Sequence, residues 1–571
     1  MTFSLPGLAD SGSKSAMTVA RPVRWRLFRR LGALAFEASP QVFAILSFLA
    51  GLVLLGSAAT PAIGGRLDAL LSVAPPFLID LSHFAASLAG FALILLSAGL
   101  WRRRRGAWWA AVIVLLAGVA FSLLKGLEWE EAIELAVIAA FLIPARKAFD
   151  RRSRLDEPLS PFWLLMLVVA VAATLWLGFF VYRDVTYSDE LWWTFLTDRQ
   201  ASGFLRGGLA VALLTVLVVG RSLISAPGAR SHGPASSADV ARAAALIESA
   251  DHAAPEAWLS TLGDKALFFS TSGDSVLAYR VIGRRWIAMG EPAGRRDERV
   301  GLLWDFAALA DSYGGAPVFY SVGEGLLGDL ATLGLAVRKV GESAVIDLAA
   351  FSLEGKARQN LRTAVSRAER EGASFDLLPP GSAVGLADQL RTVSDAWLAD
   401  HEGSEKAFSL GRFDVHYLDR TPLAVVRQAG RVVAFANLLP GRGPAPTLAV
   451  DLMRHVEDAP PGVMDYLFVR AIQWAKAEGF AAFDLGMAPL SGLEDRRLAP
   501  VFARVGALVF EEGGALYGFQ GLRAFKAKFG PVWTPRFIAA PPSTPLAFAL
   551  LDVALLTSGG WRGMLGLKRQ A

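Results

Sequence analysis

Residues 41–59 read QVFAILSFLAGLVLLGSAA, a stretch without a single charge. A helix rising 1.5 Å per residue crosses about 30 Å of hydrocarbon in ~20 residues, so this stretch reads as a membrane span. Comparable apolar runs follow at 77–100, 107–124, 131–145, 162–182 and 204–224, which predicts about six spans. The fourth is short and starts among Glu130, Glu131 and Glu134. Before the first span lies a basic leader, residues 1–40, with Arg21, Arg24, Arg26, Arg29 and Arg30. Arg102 to Arg105 follow the second span, and Arg146, Lys147, Arg151, Arg152 and Arg154 follow the fourth. The alternate loops carry Glu128, Glu130 and Glu131, or Asp184, Asp189 and Glu190. Basic loops stay on the cytosolic side. The alternation therefore predicts a multi-pass inner-membrane protein with its N-terminus and everything past residue 225 in the cytosol.

Composition agrees. Hydrophobic residues make up 53% of the 571 positions and charged residues 19%, against roughly 25% charged in soluble domains. The excess of 57 Lys+Arg over 52 Asp+Glu is too mild to identify a partner. No cysteine is present, which excludes disulfides, thiolate metal sites and thioester intermediates. HExxH, a GxSxG elbow and a GxxxxGK[ST] loop are missing as well. No cofactor and no metal are expected.

Beyond the spans, SAPGARSHGPASSAD at 225–239 cannot bury a core and reads as a tether. From about 240 to 540 the pattern changes to a soluble α/β domain. Strand-like runs LFFST (267–271), VLAYRVIG (276–283), APVFYSV (316–322) and AVIDL (344–348) alternate with helical segments. PLAVVRQAGRVVAFANLLP, from 422, reads as a hairpin turning at Gly430. A helix at 462–479 and a strand at 481–486 follow. Two α/β halves are expected, 240–405 and 406–540, with the catalytic site in the second. The apolar tail within 541–571 is too short to span and would pack on the domain or lie on the membrane surface.

Several stretches suggest chemistry. Gly323, Gly325 and Gly328 fit GxGxxG, but no full helix follows, so a turn is the better reading. Lys356, Arg358, Arg362, Arg367 and Arg370 share one helical stretch; they suit a phosphate backbone or are simply a solvated face. Asp451 and Arg454 sit close together on a strand, on different faces. They are an ordinary ion pair or a site in which Arg454 holds a phosphate or oxyanion. Lys526 and Lys528, with Phe525 and Phe529 beside them, suit a polyanion with stackable bases or form a basic helix end before Pro531.

Taken in order, the motifs resemble one family. They are Gly263-Asp264-Lys265, Met289-Gly290-Glu291-Pro292, Lys339-x-Gly341-Glu342-x-Ala344, Phe351-x-Leu353-x-Gly355-Lys356, Asp451-Leu452-Met453-Arg454, Met464-Asp465, Leu485-Gly486-Met487-Ala488-Pro489-Leu490 and Phe525-Lys526-x-Lys528-Phe529. The family is the lysyl- and alanyl-phosphatidylglycerol synthases, or multiple peptide resistance factors, and the resemblance covers residues of about 240–540. It implies a cytosolic catalytic domain of two GNAT-type folds around a polar tunnel, with aminoacyl-tRNA entering on one side and lipid from the membrane side. It implies transfer of a lysyl or alanyl group to phosphatidylglycerol, which changes membrane charge and gives resistance to cationic peptides. It also implies that Asp451, Arg454 and Lys526 are catalytic. Glu342, Lys356, Arg358, Arg362, Met487 and Lys528 are the expected substrate contacts. The longest family members also carry a large flippase module, for which about six spans leave no room, so that module is expected to be absent.

Competing classes remain at this level. One is a tRNA-dependent transferase acting on another lipid such as diacylglycerol. Others are a CoA-dependent acyltransferase, for which no Q/RxxGxG/A turn is found, and a non-enzymatic flippase. A soluble-type peptidoglycan-precursor aminoacyltransferase would use the same donor.

Overall fold

The computed structural model describes residues 23–58, 76–149, 151, 161–181, 210–215, 217–218, 233–400, 405–512 and 519–560. The chain divides into two compact units, Met1–Ala226 and Pro227–Ala571.

In the first unit, helices run over Val23–Ala58, Pro76–Trp101, Arg105–Gly126, Trp129–Leu142 and Pro161–Val181. Among the described residues three segments are long and apolar enough to cross a membrane: Ser39–Ser57, Leu81–Trp101 and Arg105–Leu124. The helix Pro161–Val181 adds 21 residues without a charge. The fourth expected span becomes a 14-residue helix that passes at Pro144 into a 3-10 turn. Proline lacks the N–H that would continue the helix, so the segment stays short of membrane length. The basic leader is not separate from the first span, because the helix already begins at Val23. The acidic loop lies outside the described residues, and of the sixth expected span only 210–215 and 217–218 are described, all helical.

The first two helices cross at paired glycines. A Cβ on Gly51 would stand 2.6 Å from the Gly90 carbonyl oxygen, and one on Gly90 would stand 2.8 Å from that of Gly51. Without water to drive helices together, such backbone contact supplies the packing. At one end, Arg105 N donates to Arg151 O and Arg151 N to Arg103 O, so the two basic loops meet. The acidic turn meets the C-terminal end of the first helix, where Ser57 Oγ donates to Glu128 Oε2 at 2.6 Å.

The second unit is built on one sheet of eleven strands. They are β1 (Ala266–Phe269), β2 (Ser275–Ile282), β3 (Arg285–Gly294), β4 (Ala316–Val322), β5 (Ala336–Asp347), β6 (Ala373–Leu378), β7 (Leu423–Gln428), β8 (Arg431–Pro440), β9 (Thr447–His455), β10 (Ala482–Pro489) and β11 (Val532–Ala540). Their order is β1-β2-β3-β4-β11-β5-β10-β9-β8-β7-β6. From either edge the pattern repeats: antiparallel strands, one parallel pair (β3/β4 or β9/β10), then antiparallel again. Two like motifs thus share a continuous sheet. β6, from the stretch read as the first half, pairs with β7, while the last strand, β11, lies between β4 and β5.

The β7–β8 turn falls at Ala429-Gly430, both with positive φ, where the hairpin was expected. The GxGxxG segment is a turn leading to the six-residue helix Leu327–Thr332. The apolar tail forms the helix Leu546–Thr557, which packs on the domain through Ala549 and Val553 while Asp552 pairs with Arg285 of β3.

Candidate active site

The parallel ladder of β9 and β10 is short. It runs from Thr447↔Ala482 to Ala449↔Asp484 and stops. Both strands continue past that point. β9 stays paired with β8 as far as His455, and β10 with β5 as far as Pro489. The sheet therefore opens between them at the carboxyl ends of a parallel pair, a usual place for a ligand in open sheets.

Asp451 and Arg454 lie on the β9 side of this opening. β9 takes three residues from Val450 to Met453 against two of β8, a bulge that brings Asp451 and Arg454 to one side of the sheet despite their odd spacing, contrary to the expected different faces. Each feels the other's charge, but they do not hydrogen-bond to each other. Asp451 accepts from Gly411 N at 2.8 Å and from Tyr417 Oη at 2.7 Å. Burial pushes its carboxyl up from the usual range, against those two hydrogen bonds and the charges of Lys265 and Arg454. Lys265 is fully buried and donates to Asp264 Oδ1 at 2.6 Å and Leu259 O at 2.8 Å. Asp264 in turn accepts from Phe408 N. The Gly263-Asp264-Lys265 motif thus supports Asp451 from below.

Arg454 is 7% exposed. Its guanidinium carbon stands 4.0 Å over the Trp397 ring, and Nη2 donates to Glu405 Oε2 at 3.1 Å. Its Nε and Glu405 Oε1 are buried with no partner among the described residues. Burial lowers the Arg454 pKa, opposed by the Glu405 and Asp451 charges. A stacked, desolvated guanidinium with an unused N–H is suited to an anion that brings its own acceptors.

Lys526 lies under the β10 side. It is 4% exposed, and Nζ donates to Gly486 O at 2.8 Å and Met487 O at 3.0 Å. Both carbonyls belong to a bulge between Asp484 and Met487, made possible by Gly486 at φ +86°, a conformation costly for other residues. Burial lowers the Lys526 pKa to about 8 against the raising effect of Asp484. Asp484 itself is buried, and accepts from Ser343 Oγ, Gly486 N and Arg536 Nη2.

The expected substrate contacts fall into three groups. Met487 contributes its carbonyl to Lys526. Glu342 holds Lys339 and Arg523, each at 2.8 Å. Burial would raise its carboxyl, but those two cations keep it below the usual range. The basic helical stretch is largely engaged with its own surroundings. Arg358 donates to Lys528 O, Arg362 to Gly355 O and Leu353 O, and Arg367 pairs with Glu371. Lys528 pairs with Asp465 at 3.1 Å, and Lys356 is exposed. Tyr417, Trp397, Glu405 and Asp484 escaped the sequence reading, since each reaches the opening from a separate element.

The family described as "Phosphatidylglycerol lysyltransferase, C-terminal" matches residues 244–540. The chain belongs to that family. Among its relatives, the phosphatidylglycerol lysyltransferase of Bacillus subtilis (strain 168) is 30% identical over 525 residues, covering 90% of this chain and 59% of the relative. That of Staphylococcus xylosus is 30% identical over 71% of this chain and 47% of its own length. The chain thus spans about half to three-fifths of these lysyltransferases. Two solved structures match the second unit. One is a C-terminal domain from Agrobacterium fabrum, ascribed to a lysylphosphatidylglycerol synthetase, at 40% identity with a TM-score of 0.51; it covers 57% of this chain and 100% of that one. The other is L-PGS from Bacillus licheniformis, at 34% identity and a TM-score of 0.50, covering 57% and 98%.

Proposed function

We propose that this chain transfers a lysyl or alanyl group from aminoacyl-tRNA to the glycerol hydroxyl of phosphatidylglycerol, at the cytosolic face of the inner membrane. The observation that carries this reading is the pair of buried cations, Arg454 and Lys526, at the two sides of the β9/β10 opening. The lysyltransferase relatives and the three span-length apolar segments support it. The meeting of the two basic loops at one end of the helical unit supports the orientation, because basic loops stay in the cytosol.

Attack of the glycerol hydroxyl on the aminoacyl carbonyl forms the new ester C–O bond. The ester bond to the tRNA ribose breaks, and the hydroxyl proton ends on the ribose oxygen. Both esters are similar in energy, so the step needs no nucleotide triphosphate. The chain has no cysteine, so no thioester intermediate intervenes. Arg454 holds the lipid phosphate or the oxyanion, and Lys526 holds the tRNA terminal phosphate or the leaving ribose oxygen. Asp451, fixed by Tyr417 and Gly411, orients the substrate amine or backs the Arg454 charge. Glu342 is a further contact for the amine, and Lys356, Arg358, Arg362, Lys528 and Met487 are the remaining substrate contacts of this reading.

The full-length chain in detergent, given charged tRNA and phosphatidylglycerol without ATP, is expected to yield aminoacylated lipid by mass spectrometry. Ribonuclease is expected to abolish the product. Product from acetyl-CoA and none from charged tRNA would replace this reading with an acyl-CoA-dependent one.

A further inference from the structure

The Lys526 ammonium has lost nearly all its water, and two backbone carbonyls receive it. Those carbonyls point toward it because β10 bulges, and the bulge is tied by Asp484: Gly486 N donates to Asp484 Oδ1 at 2.7 Å. Asp484 is fixed in turn. Ser343 Oγ of β5 lies 2.7 and 2.8 Å from its two oxygens, and Arg536 Nη2 of β11 lies 3.2 Å from Oδ2. β10 carries Asp484, β5 supplies Ser343, and β11, which follows the Lys526 helix, supplies Arg536, so three strands converge to hold one carboxylate beside one lysine.

We propose that Asp484 is the positioning residue for Lys526. Its carboxylate shapes the bulge that receives the ammonium, and it supplies the negative charge that keeps the ammonium protonated in its dry setting. The other charged groups around Lys526 are engaged elsewhere. Arg523, on its own helix, is held by Glu342 of β5 and stacks 4.2 Å over Trp533 of β11. Arg536 is divided between Asp484 and Glu256. The helix Val463–Ala477 packs on Phe525 through Phe468, and its Asp465 pairs with Lys528. Asp484 is therefore the carboxylate able to oppose burial at Lys526, which agrees with a lysine lowered only to about 8.

This inference rests on the transfer reaction proposed above, and the test separates the two. Aminoacyl-lipid formation by the full-length chain is followed from pH 6 to 9.5. Wild type is expected to lose activity on an alkaline limb near pH 8, as Lys526 gives up its proton. Asp484→Asn keeps an acceptor for Gly486 N but removes the charge, and its limb is expected about one pH unit lower. At the wild-type midpoint, that shift is a rate about fivefold below wild type, recovered on acidification. Ser343→Ala removes a hydrogen bond but not the charge and is expected to keep its limb near the wild-type position. Arg536→Gln frees Asp484 from its counter-charge and moves the limb upward, which reads the same coupling should Asp484→Asn fail to fold. An unmoved limb in Asp484→Asn, or an equal shift in Ser343→Ala, overturns the positioning role. A wild-type chain that makes no aminoacyl lipid at any pH overturns the transfer reaction itself.

Discussion

Where β3 and β4 part, Glu291 reaches across and accepts from Gly323 N at 3.1 Å. Where β9 and β10 part, no carboxylate spans the gap among the described residues; two buried cations stand at its sides instead. The backbone frame is the same in both places: a parallel pair whose ladder ends before its strands do. The filling differs. The first opening gathers Glu256 and Glu291 around the guanidinium of Arg536, which also reaches Asp484 of the second, with His252 3.7 Å from Glu291. The second offers Arg454, whose Nε has no partner among the described residues, and Lys526 at a reduced pKa. The repeated fold thus provides two similar clefts, and side-chain charge decides which one suits an anionic ligand. Each keeps a buried nitrogen without a partner among the described residues, His252 Nε2 in the first and Arg454 Nε in the second, but the first sets two carboxylates of its own around one guanidinium.

The largest effect that would sharpen this contrast is at Arg454. If its fork meets charge that develops during transfer, Arg454→Lys will not rescue the reaction, because a point charge lacks the planar pair of N–H groups. A fall of about 100- to 1,000-fold in rate is expected, as for loss of one oxyanion donor. Near-normal turnover would place Arg454 with the satisfied ion pairs of the first opening. Lys526→Met comes next, with a fall of about 100-fold expected. A loss confined to kcat places Lys526 at the leaving oxygen, whereas a raised KM for tRNA places it at the phosphate. Unchanged values for both would remove it from the site.

Asp451→Asn tests whether the second opening also has a structural floor. The substitution keeps the acceptor for Tyr417 but removes the charge facing buried Lys265. A stability loss of about 1–3 kcal/mol is expected in thermal melting of the detergent-solubilised chain, together with a fall in rate. Loss of rate with an unchanged melt would make Asp451 purely a substrate contact.

Much of this was legible from the sequence, for reasons that differ by region. Spans are read from composition over ~20 residues, so the helices at Ser39–Ser57, Leu81–Trp101 and Arg105–Leu124 were visible. The segment at 131–145 was misjudged because hydropathy does not register Pro144 as a stop. The β7–β8 hairpin announced itself through Gly430, a local signal. β11 was hidden: its place between β4 and β5 depends on pairing across about 190 to 220 residues, which no local pattern encodes. The Asp451/Arg454 spacing pointed to different faces, and the bulge in β9 that overturns this leaves no local mark in the sequence. The partners of Arg454, Trp397 and Glu405, come from elements far from it in sequence. Lys526 read as a helix-end lysine among aromatics, and only the fold shows that it is buried under a bulge.

The smallest expected effects lie in the first opening, and they test whether it is merely structural. Glu291→Gln should leave transfer within about threefold of wild type, since Glu291 is already committed to Gly323 N and His252. A loss as large as that at Arg454 would make both openings functional and break the contrast. The pH dependence of stability then separates two carboxylates by sign. Burial would raise Glu291, but nearby His252, the hydrogen bond from Gly323 N and the charge of Arg536 hold its carboxyl below the ordinary value. Its stabilisation is therefore present above the unfolded value, about 4.3, and is lost as pH falls through the depressed folded value. Glu256 is raised, by burial first and by Asp484 and Glu291 after it, against the lowering by Arg536. The unfolded chain releases that proton first, so Glu256 erodes stability as pH rises above about 4.3. Glu291→Gln should flatten the melting profile on the acid side of that point, and Glu256→Gln on its alkaline side. Each change in slope is at most ~1.4 kcal/mol per pH unit. Should both variants flatten the same side, the two carboxylates titrate as one coupled group and Arg536 does not hold them apart.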